Sequence, residues 1–122
     1  MKEGRIPFGT LCYYGEPSTK PDKQFVTALA AGLAHIEGIA EAHLPLFYAP
    51  GFAPIPELIL VLGLGEGAVK EDVIAQAAAV YRGIVGVDQN MMAFAYDASD
   101  PKIKLVRSAN MRLDLPRWSV DS

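Results

Sequence analysis

Between an aliphatic run and a stretch of helical periodicity lies Leu62-Gly63-Leu64-Gly65-Glu66-Gly67-Ala68-Val69. A glycine-rich loop between a strand and a helix can cradle phosphate on its backbone N–H groups. Asp88 follows about twenty residues on, near where a dinucleotide fold keeps its ribose-binding acid. Four features oppose a nucleotide. The Gly63–Gly67 spacing lacks the two residues that separate the last glycines of the fingerprint. Glu66 puts a negative charge where phosphate would sit. Only one helical crossover follows, and no Lys-Ser/Thr pair follows the glycines as in a P-loop. The preferred reading is a tight turn, with nucleotide binding or a small enzyme at Gly63–Gly67 as the alternative.

His35 and His43 are the histidines of the chain. His35 lies near a helix end, where a partly cationic imidazole suits the dipole. Glu41 and His43, at i and i+2, could hold a metal or form an acid–base pair. A metal would need a third ligand, which the spacing does not name, so a solvated strand face is preferred. Glu71 and Asp72 fall in the first turn of a helix, and Asp97 and Asp100 in a turn; both are structural places for acids. None of the serines sits in a nucleophile elbow. Cys12, within Leu11-Cys12-Tyr13-Tyr14, reads as a small buried hydrophobe. As a lone cysteine it excludes an internal disulfide and a zinc finger.

The elements that must carry these groups follow from periodicity. Ile6–Tyr14 reads as a strand and ends at Gly15-Glu16-Pro17-Ser18. Pro21–Ile36 reads as a helix, with Phe25, Leu29, Leu33 and Ile36 on one stripe. Gly32 implies close packing against a sheet. Ile39–Tyr48 reads as one strand, with Ile39, Glu41, His43 and Phe47 on one face and Ala40, Ala42 and Leu44 on the other. Pro45 inside it argues for an edge or a bulge. The proline-rich 49–56 segment reads as a stiff extended loop. Leu58–Leu64 reads as a central strand, Val69–Arg82 as a second helix, Met91–Tyr96 as a strand and Lys102–Arg107 as a short strand in a hairpin with it.

At 122 residues, 51% apolar and 20% charged, the chain has the length and composition of one globular domain spanning 1–122. The net charge of −3 and the absence of a basic stripe disfavour nucleic acid and an anionic membrane surface. The first residues do not read as a signal peptide, and the apolar runs are shorter than the ~20 residues of a membrane-spanning helix. A cytoplasmic setting is expected. The element order predicts an α+β fold of the ferredoxin-like, split βαββαβ type with an extra C-terminal strand: an antiparallel sheet with two helices on one face. Its other face is then open. Either Ile39, Glu41, His43 and Phe47 belong to an interaction surface, for a homodimer or a separate protein or domain, or the proline-rich loop and the tail Leu113–Trp118 fold back over that face.

Tyr14-Gly15-Glu16-Pro17 with Pro21 and the long amphipathic helix, Ile36–Ala42, and Pro56-Glu57-Leu58-Ile59-Leu60-Val61-Leu62-Gly63-Leu64 together resemble the C-terminal domain of SseB, the bacterial "enhanced serine sensitivity" family. Pro116-Arg117-Trp118 is similar to that family's ending, without the aromatic pair before the arginine. The resemblance covers roughly Cys12 to Trp118. It implies a small bacterial α+β domain, usually joined to an N-terminal partner domain, and it supplies no catalytic residues. The expectation is a non-catalytic protein-interaction or small-ligand-binding module, with no cofactor and no metal.

Overall fold

A computed structural model describes residues 2–5, 11–50, 53–86 and 91–116. The chain is α+β, but its strands form two sheets. The first contains β1 (Lys2–Arg5), β2 (Leu11–Gly15), β4 (Leu46–Ala49) and β5 (Ala53–Leu58), in the order β1-β2-β4-β5. The second contains β3 (Ile39–His43), β6 (Leu60–Leu64) and β7 (Ala93–Asp97), in the order β3-β6-β7. Three helices accompany them: α1 (Lys23–Ala34), α2 (Lys70–Val85) and α3 (Pro101–Arg107).

The single antiparallel sheet of the ferredoxin-like plan is therefore replaced, and the reason lies at Pro45. The expected strand Ile39–Tyr48 divides there: β3 pairs with β6, and β4 pairs with β5. Proline has no N–H to give to a ladder, so a strand bends where one falls inside it. The partner strand bends at Ile59, whose N–H bonds Pro45 O at 3.0 Å. Strands that switch sheets at such corners let two small sheets share one core. The second half of the expected loop 49–56 belongs to β5, an edge strand that tolerates Pro54 and Pro56 because one side of it is unpaired in the sheet.

The helices begin where the side chains dictate. Asp22 caps α1 by accepting from Phe25 N at 3.3 Å. Glu71 and Asp72 lie in the first turn of α2. α3 replaces the expected last strand. Asp100 caps it, accepting from Lys102 N at 2.9 Å, and Pro101 occupies the first turn. A capping acid followed by proline starts a helix, and Ile103 and Val106, three apart, are its buried face.

Two apolar clusters fill the space. One face of the second sheet, through Leu60, Leu62, Leu64, Ala42 and Ala95, packs against α1 and α2. There the helices meet closely: a Cβ on Gly32 would lie 2.4 Å from Val80 Cγ1. Gly32 thus answers to α2 and not, as expected, to a sheet. The opposite sheet face, through Val61 and Tyr96, joins Cys12, Tyr14 and Phe47 of the first sheet and Ile103 and Val106 of α3 in the second cluster. The face expected to be open is covered by α3 and the first sheet. The segment after α3 runs along the edge of β3 instead: Leu44 N bonds Met111 O and Leu113 N bonds Ala42 O, each at 2.8 Å. Trp118 lies outside the described residues.

Candidate functional site

β3 carries a bulge between Ile39 and Glu41. A bulge shifts the alternation of side chains by one residue. Ile39 therefore joins Ala42 and Leu44 in the cluster beneath the helices. Glu41 and His43 stand on the opposite face, in register with Gly63 and Val61 of β6. Phe47 lies in the other sheet, against Tyr14 and Phe94. All four expected surface residues are buried: Ile39 is 4% exposed, Glu41 5%, and His43 and Phe47 0%. They form no open interaction face, because α3 and the bent hairpin enclose them.

Gly63 makes room for the carboxylate. A Cβ there would lie 2.5 Å from Glu41 Cγ. Over that gap, Glu41 Oε1 accepts from Arg107 Nε at 2.8 Å and Oε2 accepts from Arg107 Nη2 at 2.6 Å. This is the two-pronged fit of guanidinium to carboxylate. Arg107, hydrogen-bonded to it, holds the Glu41 carboxyl down at about 2; His43 adds to this and burial opposes it. His43 Nε2 also meets Glu41 Oε1, at 2.7 Å. The carboxylate can only accept, so Nε2 carries the hydrogen. Burial lowers the His43 pKa against the pull of Glu41, with Arg112 and Arg107 acting in the same direction as burial. The imidazole is neutral, and its buried Nδ1 has no hydrogen-bond partner among the described residues. No group of three His, Cys, Asp or Glu that could hold a metal exists among the described residues.

Close by, the Tyr14 hydroxyl is raised by burial first and then by Tyr96 and Cys12, and burial likewise raises Tyr96. The buried Tyr96 hydroxyl makes no hydrogen bond within the described residues. Lys70 and Lys102 place their ammonium groups 5.8 and 5.6 Å from the centre of the Tyr96 ring. Each comes from the first turn of its helix.

Tyr96 is the last residue but one of β7, and beyond it lies a cleft. β6 and β7 are parallel, with Leu64 opposite Asp97, and α2 is the crossover between them. The loop after β6 and the turn after β7 therefore emerge side by side. Residues 64–68 and 97–99 line a cleft of about 510 Å³. The loop is tied down by Gly65 N to Gly38 O at 2.8 Å, and the turn by Ala98 N to Leu64 O and Asp100 N to Asp97 O, both 2.8 Å. Glu66 and Asp97 are in the lining, with Ser99 as a neutral donor and acceptor. The glycine loop singled out in the sequence thus borders a cleft, while its Asp88 lies outside the described residues.

Glu41 and His43 are brought together as their spacing implied. Arg107 and Ala98 were missed, since Lys102–Arg107 reads as a strand. Two signals could have found them: the Asp100-Pro101 helix start, and the lone glycine inside β6, which marks a close approach. No helix among the described residues is long and apolar enough to cross a membrane. No family model matches the chain, and no curated protein or solved structure matches it.

Proposed function

We propose that this chain is a non-catalytic small-ligand-binding module whose ligand sits in the cleft between residues 64–68 and 97–99. The observation that carries the reading is the cleft itself, at the carboxyl ends of two parallel strands joined by a helix. Loops gather there because every parallel strand delivers its next residue to the same edge, and ligands of open α/β sheets bind in that place. A volume of about 510 Å³ falls in the range of small-molecule sites, roughly 300–1,000 Å³. Glu66 and Asp97 set the chemistry. They repel phosphate, which argues against a nucleotide, and favour a small polar molecule with a cationic group. The buried pair Glu41 and His43 does not line this cleft, which supports binding without catalysis.

The test is a titration of the protein with 1,4-diaminobutane, followed by backbone amide NMR. Saturable shifts centred on Gly65–Gly67 and Asp97–Ser99, weakened in Glu66→Gln and Asp97→Asn, are the expected result. Shifts scattered over all acidic surfaces, or none, would overturn the reading.

Resemblance to the SseB C-terminal domain and a cytoplasmic setting belong to the same proposal. The exit from β2 at Glu16 and Pro17, the apolar central strand β6 and the burial of Cys12 support them. Self-association is a second reading, favoured by Ile84 and Val85, which stay 36% and 38% exposed at the end of α2. Light scattering across a concentration range decides it: a constant monomer mass removes it.

A further inference from the structure

We infer that Arg107, which does not line the cleft, is its positioning residue: clamped by Glu41, its guanidinium holds the 97–99 turn that forms one wall. The inference rests on the cleft being the ligand site. Its physical basis is the geometry of one planar group. Arg107 Nε and Nη2 both bond the Glu41 carboxylate, at 2.8 and 2.6 Å. Two parallel bonds fix the guanidinium plane as well as its position. The remaining hydrogen of Nη2 then has one direction to point, and Ala98 O lies there at 3.1 Å. Ala98 is held from both sides, since its N–H bonds Leu64 O at 2.8 Å. One side chain thereby connects β3, α3 and the turn after β7.

The anchor is itself well determined. Glu41 is 5% exposed and lies over Gly63, where no side chain competes. His43 supports the same carboxylate from a neighbouring position at 2.7 Å. The turn, by contrast, sits at the surface, with Asp97 and Ser99 exposed. Without Arg107 it would keep its backbone bonds, Ala98 N to Leu64 O and Asp100 N to Asp97 O, and lose the hold on Ala98 O. A lysine at 107 would retain a positive charge for Glu41, but a single ammonium lacks the fork that reaches carboxylate and carbonyl in fixed geometry.

The test uses the full chain and its Arg107→Lys variant. Amide hydrogen exchange is read at Ala98 and at the central strand β6. Affinity is read with 1,4-diaminobutane. Exchange at Ala98 should speed up about tenfold, as loss of a charge-assisted hydrogen bond implies, while β6 amides change less than about twofold. The dissociation constant for the diamine should rise by a similar factor. Unchanged exchange at Ala98 would overturn the inference whatever the diamine does. Faster exchange with unchanged affinity would overturn it too, since the turn would then not matter to the site. Faster exchange in a protein whose parent does not bind the diamine would sink the cleft reading and leave the hold on the turn standing. If Arg107→Lys loosens all amides alike, the neutral double variant Glu41→Gln/Arg107→Gln, which leaves no buried charge unpaired, is measured. Uniform loosening there as well would make Arg107 a stability residue only.

Discussion

Replacing Gly63 by alanine should uncouple the buried carboxylate from its partners, and the cost can be worked from the distances. The new methyl carbon would lie 2.5 Å from Glu41 Cγ and 3.1 Å from Cδ. Neither strand can give much, because β6 is central in its sheet and flanked by β3 and β7. The Glu41 side chain must therefore leave its rotamer. Overpacking in a filled core costs about 1–3 kcal/mol. Breaking a buried ion pair costs about 3–5 kcal/mol, because one charge is left without its partner. Arg107 is 39% exposed, so water takes over part of its solvation and the lower end applies. A net loss of about 3 kcal/mol follows, within the roughly 5–15 kcal/mol that a domain has. Urea unfolding at neutral pH would measure it in the parent and in a Glu41→Ala background. Glu41→Ala removes the atoms that the methyl would strike, so there Gly63→Ala should cost less than about 1 kcal/mol, the stiffer unfolded chain offsetting part of the cost. A coupling of about 2 kcal/mol or more between the two positions is the expected result. Equal costs in both backgrounds would refute the idea that Gly63 exists to seat Glu41.

Acid should unfold the protein through the same residue. The Glu41 pKa falls from the ordinary 4.5 to about 2 on folding. A carboxylate depressed in this way contributes stability that is fully present above about pH 4.5 and is lost as pH falls through about 2, on the order of 3 kcal/mol in all; in Glu41→Gln the urea midpoint should be flatter over that window. His43, whose pKa is lowered from 6.5 by burial, adds a second loss that begins as pH drops below 6.5, because the unfolded imidazole takes the proton first. Between the helices, Gly32→Ala would bring a methyl within 2.4 Å of Val80 Cγ1 and should cost about 1–3 kcal/mol in thermal or urea unfolding, most of it recovered in Gly32→Ala/Val80→Ala.

Periodicity located both long helices, the central strand β6 and the turn at 97–100, because each is a local pattern. What it could not supply was pairing. Nothing in Ile39–Tyr48 distinguishes one strand from two bent at a corner, except Pro45. By itself that proline implies an edge or a bulge, and the corner it makes depends on Ile59 in the partner strand. The bulge after Ile39 had no sequence mark, and without it Ile39 counts onto the wrong face. Lys102–Arg107 alternates apolar and polar residues well enough to pass for a strand. The capping acid and proline before it carried the better signal, because backbone N–H groups at a helix start must find acceptors. The candidate site was half legible. The glycine loop and the Glu41–His43 pair stood out, but the cleft depends on β6 and β7 being parallel, and Arg107 depends on α3.

A buried ion pair is weak support for stability, since desolvation offsets most of what the charges gain. Its place in this fold suggests what it does specify. From the bend at Ile59 into β6, the successive positions on the inner face are Ile59, Val61 and Gly63. Ile59 and Val61 fill the space above the strand, and Gly63 leaves it empty. A two-residue slip of β3 keeps its apolar residues on the same faces, so alternation alone does not forbid it. Such a slip toward Val61 would press the Glu41 side chain onto a branched side chain and pull its carboxylate from Arg107. The pair therefore penalises the register that hydrophobic patterning leaves open. It also gives α3, only seven residues long, one place to dock. Because Arg107 continues to Ala98 O, the choice of register at one edge of the sheet also sets the wall of the cleft at the other.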